Sequence, residues 1–266
     1  MKSTIILYEI YSILKGGYTL TFSKYLPIYS LERKELIFMH LVMNIADWIA
    51  ILSMIIAFIF SIKYRSNKAL LPIQLYIIIS LGVNMFLEIS ESLCNYDSSG
   101  RISSAVYNIY SLVEISILLY FIHSNLKRKE FRLILKVLLL FYFSICILIW
   151  TSKYQALFFI VPHLFGIENF LISISSLFYF YEVMNSEFVV NFKTDAIFIV
   201  ICGSLFYSSI MTPLQFSYFI WLYTAPELNQ IIQIMNMTFY AIFFISLMKA
   251  YLCPSPNQKQ LQSFAL

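Results

Sequence analysis

Seven long apolar runs constrain this chain more than anything else, at roughly residues 36–62, 70–94, 102–125, 132–151, 156–182, 194–218 and 229–252. Crossing a hydrocarbon core takes about 20 mainly apolar residues in a helix, and each run is that long. Membrane strands would need alternating polarity, and "IIAFIF" and "LILKVLLLFYF" do not alternate. Inside lipid the backbone must satisfy its own hydrogen bonds, which a helix does within one segment. The expected fold is therefore all-α: a polytopic membrane protein, a bundle of seven transmembrane helices. Composition agrees, because 60% hydrophobic against 12% charged residues leaves too little polar surface to cover a soluble domain of this length.

Basic residues orient the bundle. Lys63, Arg65 and Lys68 follow the first run, "LKRKEFR" with Lys136 follows the third, and Lys193, Lys249 and Lys259 fall on the same side. The opposite short loops hold Arg101 and Lys153. Positive-inside bias then places the C-terminus in the cytoplasm and the N-terminus outside, against the counter-signal of Lys2, Lys15, Lys24, Arg33 and Lys34. The chain divides into a tail at 1–35, the seven-helix domain at 36–252 and a short cytoplasmic tail at 253–266. In the first tail, "STIILYEIYSIL" is too short to span, is interrupted by Glu9 and ends at "KGG". It reads as an interfacial helix that stays attached, since a signal peptide would carry a small-x-small cleavage site.

Polar residues inside the runs are not scattered. At about 100° per residue, Ser80, Asn84, Glu88, Glu91 and Asn95 share one narrow stripe of the second helix, within "LGVNMFLEISESL" and its flanks. His40, Asn44 and Asp47 align on the first helix, and Asn229, Gln233, Asn236 and Tyr240 on the seventh. Ser104, Tyr107, Asn108, Ser111 and Glu114 cover a wider arc of the third. The fifth carries Glu168, Ser175, Tyr179 and Glu182, and the sixth Ser204, Ser208, Gln215 and Tyr218. The fourth is almost wholly apolar beyond Lys136, so it is expected to face lipid most. With the N-terminus outside, most of these groups lie in the outer half and Glu114 and Glu168 near the middle, which implies a polar cavity opening outward.

Asn, Gln, Ser and Tyr commonly do no more than tie helices together, at about 0.6 to 2 kcal/mol per bond. Carboxylates are different. A charge at mid-membrane costs at least about 2.5 to 3.5 kcal/mol, and no Lys or Arg lies well inside a span to neutralise Asp47, Glu88, Glu91, Glu114 or Glu168. Protonation, hydration, amide and tyrosine hydrogen bonds or a bound cation must do so. Glu182, at a span end, reads as an interface residue. Pro213 within the sixth run should kink it and free the Ser209 carbonyl.

Familiar chemistries can be tested. A retinal lysine is absent from "NMTFYAIFFISL" at the centre of the seventh run. His40, His123 and His163 are scattered rather than paired as in seven-helix zinc hydrolases, although His40, Asp47, Glu88 and Glu91 leave room for a divalent cation. No cofactor is otherwise implied. Cys94, Cys146, Cys202 and Cys253 lack ligand spacing and read as packing residues. The net charge of +4 fits anionic lipid headgroups rather than nucleic acid.

"YNIYSLVEISILLYF", "IENFLISISSLFYFYEV", "FIVICGSLFYSS" and "LNQIIQIMNMTFYAIFFISLMKA" resemble a group of uncharacterised seven-helix bacterial membrane proteins that stand alone or precede a histidine kinase as its sensor. The resemblance covers the third to seventh helices. It implies signal reception in a bacterial cytoplasmic membrane, with the Asn108 to Glu114 segment and Glu168 at recurrent polar positions, and a histidine kinase or other signalling partner. This chain carries no kinase domain. The expectation is thus a sensor or receptor-like module for a small polar or cationic ligand, bound by Asp47, Glu88, Glu91 and Glu114, with Asn44, Asn84, Asn108 and Asn236 orienting them and Glu168 close by. Alternatives are an intramembrane lipid hydrolase, with a metal-dependent form among the options, and a proton-coupled carrier, and assembly into a homo-oligomer stays open.

Overall fold

The computed structural model describes residues 26–64, 68–93, 96–152, 162–185, 194–224 and 226–253, and among these all side chains except those of 26–40, 91–101, 162 and 218–230. The described residues form seven α-helices: α1 (Leu26–Lys63), α2 (Leu71–Leu93), α3 (Tyr96–Asn125), α4 (Lys129–Ser152), α5 (Pro162–Met184), α6 (Ala196–Thr224) and α7 (Pro226–Leu252), with a 3-10 turn at Lys68–Leu70. Each contains a stretch long and apolar enough to cross a membrane, as a multi-pass membrane protein requires. Met1–Val42 and Met43–Leu266 are separate compact units, and the packing below concerns the second.

Helix ends follow local chemistry. α1 begins at Leu26 rather than near residue 36, since Pro27 suits a first turn and nothing after it breaks the helix. Proline likewise opens α5 and α7 and stands second in α2. Asp195 caps α6, its Oδ1 accepting the Phe198 amide at 3.0 Å. Glu182 at the end of α5 accepts the amides of Lys127 and Arg128 at 2.7 and 2.8 Å, which fastens the turn between α3 and α4. Arg128 stacks over Phe131 and Tyr181 at the same corner.

Lipid tails are as apolar as leucine, so helices in a membrane associate through close fit and interhelical hydrogen bonds. Two glycines permit that fit. A Cβ at Gly203 of α6 would meet the Ser246 side chain of α7, and one at Gly166 of α5 would sit 3.1 Å from the Phe216 ring of α6. The chain α5, α6, α7 packs in sequence, while α3 touches α2, α4 and α5. Burial ranks the helices accordingly. Only 17% of the α4 span is buried against 50% for α5, so α4 is the most outward helix, as its composition led one to expect.

Aromatic rings fill the centre. Tyr76 stacks on Phe244 at 5.9 Å and leans on Phe243 at 6.0 Å, Tyr207 stacks on Phe243 at 5.7 Å, and Tyr240 meets Phe244 edge-on at 4.9 Å. α6 continues as helix through Pro213, where the Thr212 hydroxyl donates to the Ser208 carbonyl at 2.7 Å and the Ser217 hydroxyl to the Pro213 carbonyl.

Candidate functional site

Two buried hydrogen-bond clusters meet on neighbouring residues of α3. In the first, Tyr76 of α2 donates to Glu114 Oε1 at 2.8 Å, and Tyr110 stands one turn before Glu114 on α3. Ser80 lies 2.6 Å from the Tyr110 hydroxyl, and Tyr240 of α7 lies 3.2 Å from it and 3.5 Å from that of Tyr76. In the second, Ser111 donates to Glu168 Oε2 of α5 and lies 2.6 Å from the Tyr142 hydroxyl of α4. Tyr207 of α6 donates to Asn236 Oδ1 at 3.2 Å and lays its ring 5.7 Å from Tyr240. Six helices thus converge on one polar centre.

Helical spacing explains the convergence. Tyr76 and Ser80 are four apart on α2, as are Tyr110 and Glu114 on α3, so each pair shares a face. Ser111 is turned about 100° from Tyr110, so α3 addresses α2 and α7 with one side and α4 and α5 with the next. Measured along each span, Tyr76, Ser80, Tyr110, Glu114, Tyr142, Tyr207 and Tyr240 fall near its midpoint. Glu168 is 3% exposed, and its Oε1 has no hydrogen-bond partner. Ser111, which holds Glu168, stands three residues before Glu114 on α3, so both carboxylates are served by one helical turn.

The structure brings together some of the residues singled out by sequence. Glu114, Glu168 and Asn236 belong to the network, and Asn108 is buried on α3 two residues before Tyr110. Asn84 serves α2 itself, its Nδ2 donating to the Ser80 carbonyl at 2.8 Å and approaching Met54 Sδ of α1 at 3.7 Å. Asp47 is half-buried, whereas Asn44 and Glu88 are exposed. The side chains of His40, Glu91, Asn95 and Asn229 lie outside the described residues. Several stripe serines turn back onto their own helix: Ser175 donates to the Leu171 carbonyl at 2.6 Å and Ser204 to that of Val200 at 3.0 Å. Ser208 instead crosses to Ser173 at 2.8 Å, joining α6 to α5.

Sequence reasoning passed over Tyr76, Tyr110, Tyr142 and Tyr207. In a chain of 20 tyrosines, many serve as apolar bodies with a wet tip, and only partners on other helices separate these four from the rest. The available signal was the four-residue spacing of Tyr76 to Ser80 and of Tyr110 to Glu114.

A groove of ≈ 860 Å³ lies apart from the network, between the start of α2 and the end of α3. Leu71, Leu75, Ile78, Ile117 and Tyr120 line it, with Lys68 at one end, and none of the candidate residues reaches it. Among the described residues, no group of three or more His, Cys, Asp or Glu side chains is placed to hold a metal ion. No family model, curated protein or solved structure matches the chain.

Proposed function

We propose that this protein is a sensor or receptor-like module of a bacterial cytoplasmic membrane, with its C-terminus inside, which takes a small polar or cationic ligand and signals through a partner such as a histidine kinase. The observation that carries the reading is the network itself: Glu114 and Glu168 are joined by hydroxyl groups to α2, α4 and α7, so a change at either carboxylate is felt by helices that do not touch it directly. A signalling module needs that kind of coupling between a local event and helix arrangement. The likeness of the third to seventh helices to kinase-linked sensors supports the same reading, as does the supply of basic residues in the loops assigned to the cytoplasm.

Asp47, Glu88 and Glu91 would serve the approach of a ligand from the outer side, and Asn44, Asn84, Asn108 and Asn236 its orientation. The test is to express the wild type and Glu168→Gln at matched membrane levels in the native host and follow phosphotransfer by the membrane kinases. Loss of a response dependent on the wild-type protein supports the reading. An unchanged response in the variant, or no response that depends on the protein, overturns it.

A further inference from the structure

Following each hydroxyl proton through the network leads to the two carboxylates. Ser111 spends its one proton on Glu168, so its 2.6 Å contact with Tyr142 is donated by Tyr142. The Ser80 and Tyr240 hydroxyls contact that of Tyr110 at 2.6 and 3.2 Å, and Tyr110 stands one turn before Glu114 on α3. Tyr76 donates to Glu114. The donors Tyr76, Ser111 and, through Ser111, Tyr142 therefore end on Glu114 or Glu168, while Tyr207 ends on Asn236, and Glu168 Oε1 is an acceptor left over.

We infer that Glu114 and Glu168 form one proton-binding site, and that the ligand class of the sensing network is the proton. This rests on the function proposed above and names its ligand. In the step, a proton from water forms an O–H bond with a carboxylate oxygen, no other covalent bond breaks, and the network loses one negative charge. A carboxylic acid brings a donor where only acceptors stood, so the hydroxyl chain ending there must reorient. Because Tyr110 and Ser111 are consecutive on α3, reorientation in either cluster acts on the same helical turn.

The groups facing the pair are Tyr76 and Ser80 from α2, Tyr142 and Cys146 from α4, Tyr207 from α6 and Tyr240 from α7. α1 reaches this region through Met54, which takes the contact from Asn84. A proton needs only the lone pair that Glu168 leaves free, whereas a metal ion needs several further ligands, and no such acidic, cysteine or histidine group is formed among the described residues. With Ser111 holding Glu168 and Glu114 three residues further along the same helix, the two carboxyl groups should titrate as a pair rather than singly.

The test uses the purified full-length protein in lipid nanodiscs. Infrared difference spectra taken between about pH 4 and about pH 10 follow the carbonyl stretch of protonated carboxyl groups. Glu114→Gln and Glu168→Gln should each remove part of the signal and move the midpoint of the part that remains by about one pH unit or more. Ser111→Ala, which keeps both carboxyls, should move the Glu168 component and serves if a Gln variant fails to fold. A titration of the remaining group that is identical to wild type in every folded variant, or a band insensitive to pH throughout, overturns the inference. No signalling partner is present in this assay. Coupled titration with unchanged phosphotransfer would retire the sensor reading alone, and intact phosphotransfer dependence with uncoupled carboxyls would retire the proton site alone.

Discussion

Replacing Tyr76 by Phe removes one oxygen and leaves the ring where it is. The stacking on Phe244 at 5.9 Å and the contact with Phe243 at 6.0 Å survive, so the loss is confined to the 2.8 Å bond to Glu114 and the long contact with Tyr240. Interhelical hydrogen bonds in membrane proteins average about 0.6 kcal/mol and reach about 1.7. A short bond to a carboxylate belongs at the upper end, because hydrogen bonds to charged groups are stronger than neutral ones. Tyr76→Phe should therefore cost about 1 to 2 kcal/mol. Glu114→Leu removes the acceptor of the same bond, so the double variant should cost less than the sum of the singles by about 0.6 to 1.7 kcal/mol. The assay is reversible unfolding in mixed micelles, read by tryptophan fluorescence. Tyr120→Phe is the control: the residue is 61% exposed and should stay within about 0.5 kcal/mol of wild type. Additivity of Tyr76→Phe and Glu114→Leu to within about 0.3 to 0.5 kcal/mol would refute the claim that this bond ties α2 to α3.

Gly203→Ala places a Cβ against the Ser246 hydroxyl and 3.0 Å from its Cβ, and should destabilise by about 1 to 3 kcal/mol; adding Ser246→Gly should recover most of that in the same unfolding assay. Glu182→Ala strips the amides of Lys127 and Arg128 of their acceptor, which should cost about 1 kcal/mol and speed hydrogen exchange at those two amides. A reporter after Leu266 or within "LKRKEFR" should be cytoplasmic and one near "NYDSSGR" external, and the reverse pattern would remove the outer route for a ligand. Glu88→Gln, at an exposed position, should leave folding stability within about 0.5 kcal/mol while still testing the outer approach through the signalling readout.

The seven helices were legible in the sequence because lipid leaves the backbone no other economical way to satisfy its hydrogen bonds, and length alone then locates the spans. The lipid-facing bias of α4 followed from its bare composition, and Glu114 and Glu168 stood out because mid-span carboxylates without a basic neighbour are costly. Periodicity put Asn84 and Glu88 one turn apart on α2, but it could say nothing about which way α2 turns in the bundle. The tertiary structure decided that Asn84 bonds its own helix, that Glu88 is exposed, and that Tyr76, one turn before Ser80, meets Glu114. It likewise separated Ser175 and Ser204, which bond their own backbone, from Ser111 and Ser208, which cross between helices. The physical reason is that a helical period fixes the angle of a side chain about its own axis, whereas its partner depends on the rotation and closeness of a second helix. Those are set by contacts distant in sequence, such as Gly203 against Ser246 and Tyr76 against Phe244, whose value no single segment reveals.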